Sequence, residues 1–287
     1  MSYGSSSPTL PTAPCQKMET QEPSLSCSST YTMIKQIGTG GYGKVYLAQH
    51  KYTGKQVAIK VMSQSRISRY LELDGQRVPA EIALIANLSH SSIIQYIAHF
   101  KVPGGWCLVM EYPHGYLDLF ELICDRGRLN EKHTRKIIRQ VLQAINHCLK
   151  SKVDHRDLKD ENLLVNPDNL HVKLIDFGSA SQLTDRAYTR FQGTDVYLPP
   201  EWYTRHSYMA LPATSWAIGC LIFTCLSGDS PFATRDEVKK SQIPWEKLPS
   251  NLSDNCFDML KGCLQTSARH RINLKTLAAH PWLQMDS

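Results

Sequence analysis

Four of the six residues from Gly38 to Gly43 are glycine, and the run stands between two stretches rich in β-branched and aromatic residues, Tyr31-Thr-Met-Ile-Lys-Gln-Ile37 and Lys44-Val-Tyr-Leu-Ala48. Strands on both sides make this a hairpin, and the scarcity of Cβ atoms lets its backbone N–H groups approach a bound polyanion. Its letters fit three motifs. A dinucleotide-binding G-x-G-x-x-G needs its last glycine to open a helix, whereas the residues after Gly43 are strand-like. A phosphate-binding G-x-x-x-x-G-K needs a hydroxyl where Val45 stands. The remaining reading is a glycine hairpin folded over a nucleotide; standing alone, the run would equally be a plain surface hairpin.

The chain around it changes character twice. Residues 1–29 are rich in Ser, Thr and Pro and poor in large apolar groups, a composition expected to stay disordered. From residue 30 short strand-like runs follow one another, including Gln56-Val-Ala-Ile-Lys-Val61, Ile93 to Phe100 and Trp106 to Glu111. One helical stretch interrupts them after Pro79. Beyond Tyr-Pro-His-Gly-Tyr116 the spacing predicts helices over Tyr116 to Arg126, Glu131 to Ser151, Leu211 to Leu226 and Leu252 to Leu264. A short strand pair is expected at Leu163 to Val165 and Val172 to Ile175. The fold class expected is therefore α+β: a small antiparallel sheet with one main helix over residues 30–112, a connection at 111–118 and a larger helical part over 119–284, with 285–287 as the end.

Composition narrows the setting. With 287 residues and a net charge of +6, the chain is long enough for a two-lobed core and lacks the basic stripe of nucleic-acid binders, so no nucleic-acid partner is expected. Nine cysteines without a CxxC pair or zinc spacing read as reduced thiols. The apolar stretch Trp216 to Leu226 is too short to span a bilayer and reads as a buried helix, so no membrane association is expected. The first residues carry no leader, and the cytoplasm or the nucleus is the expected location of a monomer.

After the glycine run come Val57-Ala-Ile-Lys60, Glu81, His155-Arg-Asp-Leu-Lys-Asp-Glu-Asn162 and Asp176-Phe-Gly178, in that order. The set resembles the signature of the eukaryotic protein kinases. That resemblance implies a bilobal kinase fold, with ATP and Mg²⁺ as cofactors. Phosphoryl transfer asks a protein to hold a polyanion in line with a hydroxyl and spread its charge onto cations. The resemblance assigns Lys60 to the α/β-phosphates with Glu81 aiming it, and Asn162 and Asp176 to the metal. Asp157 orients the acceptor hydroxyl and takes its proton, while Lys159 contacts the γ-phosphate and marks a Ser/Thr kinase. Ile37, Gly38, Thr39, Gly40, Gly41, Tyr42, Gly43, Lys44, Val45, Ala58, Glu111 and Asp118 complete the implied nucleotide site. Taken singly, Lys60 and Glu81 would be ordinary solvated charges, and Asp157 a turn residue.

Further stretches narrow the resemblance to the PIM serine/threonine kinases: Arg77-Val-Pro-Ala-Glu81, Asp118-Leu-Phe-Glu-Leu-Ile123, Val196-Tyr-Leu-Pro-Pro-Glu-Trp202, Gly228-Asp-Ser-Pro-Phe232 and His280-Pro-Trp-Leu283. In that family a proline like Pro113 removes one N–H donor to adenine. The backbone carbonyl of Glu111 is expected to remain a contact, and Asp118 to approach the ribose. The resemblance implies protein substrates with basic residues upstream of Ser/Thr, read by an acidic groove drawn from Asp118, Asp125, Asp160, Glu161, Asp229, Asp236 and Glu237. It also implies a buried Glu201–Arg271 pair and a positioning role for Thr194.

Three departures stand out. Thr214 replaces an Asp that most kinases use to tie down the catalytic loop, as it is also replaced in PIM kinases. Asp154 replaces an apolar residue and must find a partner or solvent. Arg190 stands where an acid would pair with Arg156, so two cations are expected to face each other, with phosphorylation of Tyr188 or Thr189 restoring an anion. With Asp195, these oddities motivate the alternative of a pseudokinase scaffold. A small-molecule phosphotransferase is disfavoured by the peptide-platform segment around Glu201 and Trp202.

Overall fold

A computed structural model describes residues 29–40 and 43–285 of the chain. The tail expected over 1–29 thus lies almost wholly outside the described residues, as do Gly41 and Tyr42. The first strands are β1 (Tyr31–Gly40), β2 (Gly43–His50) and β3 (Gln56–Ser63). A hairpin of β4 (Tyr70–Leu73) and β5 (Gln76–Pro79) runs directly into helix α1 (Ala80–Ala86). Strands β6 (Tyr96–Val102) and β7 (Gly105–Glu111) complete an antiparallel five-stranded sheet of order β1-β2-β3-β7-β6.

Strand alternation within this sheet sets up the site. Val57, Ile59 and Val61 of β3 pack with Ala48, Cys107 and Val109 on one face. Period-2 geometry then sends Ala58, Lys60 and Met62 to the opposite face, toward α1 and the remainder of the molecule. A lysine in an otherwise apolar central strand is thereby carried inside, where it is only 4% exposed. The same alternation in β7 leaves Met110 opposite Ala58, on the Lys60 face.

The segment from Tyr112 to Tyr116 is irregular and leads to β8 (Leu117–Asp118) and α2 (Leu119–Arg126). The helix expected from Tyr116 therefore begins three residues later. Its start is fixed by Asp118, which pairs with Leu164 in a sheet and whose carboxylate accepts from the Glu121 backbone N–H at 2.7 Å as an N-cap.

Next come α3 (Glu131–Lys150), β9 (Val153–Asp154), β10 (Leu163–Val165), β11 (Val172–Leu174) and β12 (Ser181–Gln182). Single 3-10 turns at Asp160–Asn162 and Asp195–Tyr197 lie in residues 155–162, the catalytic loop of the kinase resemblance, and in residues 178–199, its activation segment. The chain ends in α4 (Pro200–Arg205), α5 (Ala210–Ser227), α6 (Arg235–Lys240), α7 (Asp254–Cys263), α8 (Leu274–Ala278) and α9 (Pro281–Gln284).

Helix α5 is apolar on all sides and is long and apolar enough to cross a membrane, yet 78% of it is buried inside the fold. It is the central core helix, with Trp216 stacked on Phe232 at 5.5 Å. Among the described residues all seven cysteines are free thiols, and all but Cys124 are buried. The observed architecture is the expected α+β arrangement of an antiparallel sheet with one helix followed by a helical part.

Candidate functional site

Between the sheet and the helical part lies a cleft of about 790 Å³. Lys60 Nζ reaches Glu81 Oε1 of α1 and Asp176 Oδ1, each at 2.7 Å. Burial by itself would lower the Lys60 pKa, but the two carboxylates and their hydrogen bonds outweigh it and hold the pKa raised, so the side chain is a fixed cation. Burial likewise opposes the charged form of Asp176; the Lys60 ammonium and the Gly178 N–H, 3.1 Å from Oδ1, draw its pKa below the usual range. The Asp176 backbone is left-handed at φ 58°, a conformation costly for a side-chain-bearing residue and held here by these contacts.

The catalytic-loop stretch is organised by hydrogen bonds within and beside it. Asp157 Oδ1 accepts from Thr194 Oγ1 at 2.9 Å, and Asp157 Oδ2 from Asn162 Nδ2 at 3.2 Å. Asn162 Nδ2 also donates to the Asp157 carbonyl at 2.8 Å. Lys159 pairs with Glu161. His155 shares a hydrogen bond with the Ile175 carbonyl at 2.9 Å and packs edge-on against Phe177.

A divalent cation fits the donor set at Asn162 and Asp176. The Asn162 amide nitrogen is spent on Asp157, which leaves its carbonyl oxygen available. The Asp176 Oδ1 is taken by Lys60 and Gly178, while Oδ2 lies 3.9 Å from where a Cβ on Gly40 would stand, facing the glycine loop. No group of three or more His, Cys, Asp or Glu side chains suited to a metal occurs among the described residues, so a cation here would rely on ligands from its substrate.

Most of the residues expected at the site line this cleft: Ile37, Gly38, Thr39, Gly40, Val45, Ala58, Lys60, Glu81, Glu111, Asp118, Asp157, Lys159, Asn162 and Asp176. Gly43 and Lys44 do not; they lie in β2, paired with Met62 and Val61. The Glu111 carboxylate accepts from Lys173 Nζ at 2.6 Å and from the Gln95 N–H at 2.8 Å. Its side chain is therefore engaged away from a nucleotide.

The cleft also uses Met110, Leu164 and Ile175, which sequence reasoning passed over. Their signal was present: Met110 and Ile175 each adjoin a motif residue and Leu164 lies two positions after Asn162, and alternation puts them on the side opposite Val109, Leu174 and Leu163, which are fully buried.

Of the acidic residues expected to form a groove, Asp118 and Glu161 line the cleft, joined by Glu121, which had not been singled out. Asp160 is turned inward, accepting from Tyr197 Oη at 3.0 Å. Asp229 is bound by Lys247 at 2.7 Å, and the Glu237 carboxylate accepts from the Ala233 N–H at 2.8 Å. Asp125 and Asp236 are exposed away from the cleft lining.

The departures resolve differently from expectation. Arg156 and Arg190 do not oppose each other as cations: Arg156 Nη2 donates to the Arg190 backbone carbonyl at 3.2 Å, and the Arg190 side chain is exposed. Asp154 is only 4% exposed, and burial gives its pKa a rise that the Tyr188 hydroxyl and the Arg156 charge beside it offset in part. Asp195 is paired with Arg235 and accepts from Tyr203 Oη at 2.8 Å. Thr214 Oγ1 turns back to the Ala210 carbonyl at 3.0 Å and leaves a small cavity of about 40 Å³ beneath residues 155–158. The Glu201–Arg271 pair is present and bidentate.

Gly193 holds the end of the activation segment against the catalytic loop. Its φ is +94°, and a Cβ there would lie 2.5 Å from the Arg156 carbonyl and 3.3 Å from Asp157 Oδ1. Gly193→Ala is therefore expected to displace Thr194 from Asp157 and to lower kcat about a hundredfold, read in a steady-state phosphotransfer assay. Retention of full activity would show that this close approach is not needed.

Comparison with known proteins follows the same outline. The protein kinase domain family matches residues 31–283. The serine/threonine-protein kinase pim-2 of Danio rerio is 37% identical over 268 residues, covering 90% of this chain and 86% of its own. The serine/threonine-protein kinase prk-2 of Caenorhabditis elegans is 32% identical over 260 residues, 90% of this chain and 59% of that one. The maternal embryonic leucine zipper kinase of Xenopus tropicalis is 34% identical, across 88% of this chain and 39% of its own.

Proposed function

From the premise that this chain belongs to the protein kinase family, as the match over residues 31–283 establishes, we propose that it transfers the γ-phosphate of ATP to Ser or Thr in peptides with Arg or Lys upstream. Serine/threonine protein kinase activity, with ATP and a divalent metal, comes with the family. The finer reading concerns substrate and residue roles, with residues 30–112 and 119–284 as the two lobes on either side of ATP.

The observation that carries the substrate reading is the placement of Asp118, Glu121 and Glu161 together on the cleft that also holds Asp157. The molecule is basic overall at +6, so an anionic rim beside the reacting position is a local reversal of sign. Such a rim attracts a basic peptide and repels an acidic one, and like-charge juxtaposition is what gives selectivity. Within the site, Lys60 offers a fixed positive charge to phosphate oxygens, and Glu81 keeps it aimed. Asp157, held from both sides by Thr194 and Asn162, orients the incoming hydroxyl and accepts its proton. Mg²⁺, held by Asn162 and Asp176, would supply charge neutralisation on the phosphates. The scaffold alternative loses support, because the Arg190 side chain is exposed, Asp195 is paired with Arg235, and Lys60, Glu81 and Asp176 are assembled.

A peptide array phosphorylated with radiolabelled ATP tests the substrate reading. Arg/Lys-rich Ser peptides should be preferred, and Glu121→Lys with Glu161→Lys should reduce that preference about tenfold or more. An array dominated by acidic or proline-directed sequences would sink it, and transfer unaffected by Asp157→Asn would favour the scaffold.

A further inference from the structure

Arg156 precedes Asp157 in the catalytic loop, and its backbone is left-handed at φ 63°, so its position depends on what grips the side chain. Among the described residues no carboxylate forms an ion pair with it. The Arg156 guanidinium lies 3.9 Å from the centroid of the Tyr188 ring and 5.9 Å from that of Tyr208. Its Nε and Nη2 donate to Tyr208 Oη at 3.2 and 2.9 Å, and Nη2 donates to the Arg190 carbonyl. Two aromatic faces, a phenol and a carbonyl thus fill the place of an anion. The exposed Thr189 side chain is not among these partners.

Tyr188 is itself held at both ends. Its backbone exchanges hydrogen bonds with Tyr208, N–H to carbonyl, at 2.8 and 3.1 Å. Its hydroxyl meets Ser181 Oγ at 3.1 Å and the buried Asp154 carboxylate. Ser181 and Asp154 are cross-strand partners in the β12–β9 pair, which joins the start of the activation segment to the catalytic loop. Burial first, and then Asp154, push the Tyr188 hydroxyl up to about 12, so it stays a neutral donor. A phosphate on that hydroxyl would set a dianion against Asp154, the reverse of the role expected from the sequence. Helix α5 supplies no alternative tether, since Thr214 bonds its own helix.

We propose that Tyr188 is a positioning residue: with its hydroxyl on Ser181 beside Asp154 and its ring stacked under Arg156, it clamps the activation segment to the catalytic loop in the active arrangement without any phosphate. The pair explains two oddities at once. Asp154 replaces an apolar residue because it anchors the clamp, and Arg190 is tolerated because Arg156 needs no acid.

The inference rests on the catalytic reading above, and its test uses whichever array peptide the intact chain phosphorylates best. A failed basic preference therefore leaves it standing. Phosphatase-treated full-length protein and Thr189→Ala should retain kcat within about twofold. Tyr188→Phe keeps the ring but removes the hydroxyl from Ser181 and from beside the buried Asp154 carboxylate, and should lower kcat roughly tenfold with KM for ATP unchanged. Adding Asp154→Leu to Tyr188→Phe should restore kcat to within about threefold, because removing both polar partners is nearly neutral. A merely destabilising substitution would not be rescued by a second change. Hydrogen exchange of residues 181–208, which needs no catalysis, should quicken in Tyr188→Phe and recover in the double variant. Full activity and unchanged exchange in Tyr188→Phe, a double variant no better than the single, or loss of activity on dephosphorylation would each overturn the clamp. Were the intact chain to phosphorylate no peptide, the catalytic reading would fail and the exchange result alone would decide.

Discussion

Asp157→Asn is expected to lower kcat by about a hundred- to ten-thousand-fold while leaving KM for ATP within about twofold. The substitution keeps the size of the side chain. It removes the charge proposed to take up the acceptor proton and presents an amide to one of two donors, Thr194 Oγ1 at 2.9 Å and Asn162 Nδ2 at 3.2 Å. The Thr194 hydroxyl can turn to accept from an amide, so local structure survives. Lys60, the cation proposed to face the phosphates, is held elsewhere by Glu81 and Asp176 and is not disturbed. A loss confined to kcat thus separates proton transfer and hydroxyl orientation from binding. Steady-state kinetics with ATP and peptide varied independently provides the check. A parallel rise in KM for ATP would instead mean that Asp157 shapes the nucleotide cleft.

Glu201→Ala is expected to cost about 3–5 kcal/mol of stability. Arg271 Nη1 and Nη2 meet Glu201 Oε1 and Oε2 at 3.0 and 2.9 Å, in a fork that no lysine could reproduce. The Arg271 side chain is fully enclosed and lies 5.0 Å from the Trp216 ring of α5. Carbonyls of Pro212, Gln265 and Thr266 accept its remaining protons at 2.8, 3.0 and 3.4 Å. Deleting the carboxylate leaves a buried guanidinium with dipoles but no counter-charge. At about 2–4 °C per kcal/mol for a domain of this size, the melting temperature should fall by roughly 10 °C. The paired change Glu201→Leu with Arg271→Met should lose much less, since it buries no charge. Thermal unfolding followed by circular dichroism decides; a fall of only 1 or 2 °C for Glu201→Ala would place the pair among weak surface-like bridges.

Much of the sheet was legible because alternation and glycine spacing are local signals. Strand β3, with Val57-Ala-Ile-Lys-Val61 as its centre, needed only its own letters to read as a strand. The β4–β5 hairpin was missed although Asp74-Gly75 is a strong turn signal, and both residues have positive φ, 49° and 76°. Its strands are only four residues each, too short for a period of two to stand out from the letters alone. Asp118 was placed at the site but inside a helix; its pairing with Leu164, from a strand 46 positions away by residue number, decided that it caps the helix instead.

The sequence alone determined the order of chemistry along the chain: a glycine hairpin, a strand lysine, a helix glutamate, a loop aspartate and asparagine, and an aspartate before Phe177. Those motifs are legible because each role demands a residue type and a fixed short spacing. What only the tertiary structure decided is where charges end up relative to one another. Arg156 and Arg190 are 34 positions apart and looked like a repelling pair, yet one meets the other's carbonyl. Asp154 and Tyr188, equally distant in the chain, are brought side by side through the β9–β12 pairing, Ser181 being the cross-strand partner of the one and the hydrogen-bond partner of the other. Electrostatic interaction depends on distance and burial in space, and neither is written in local spacing.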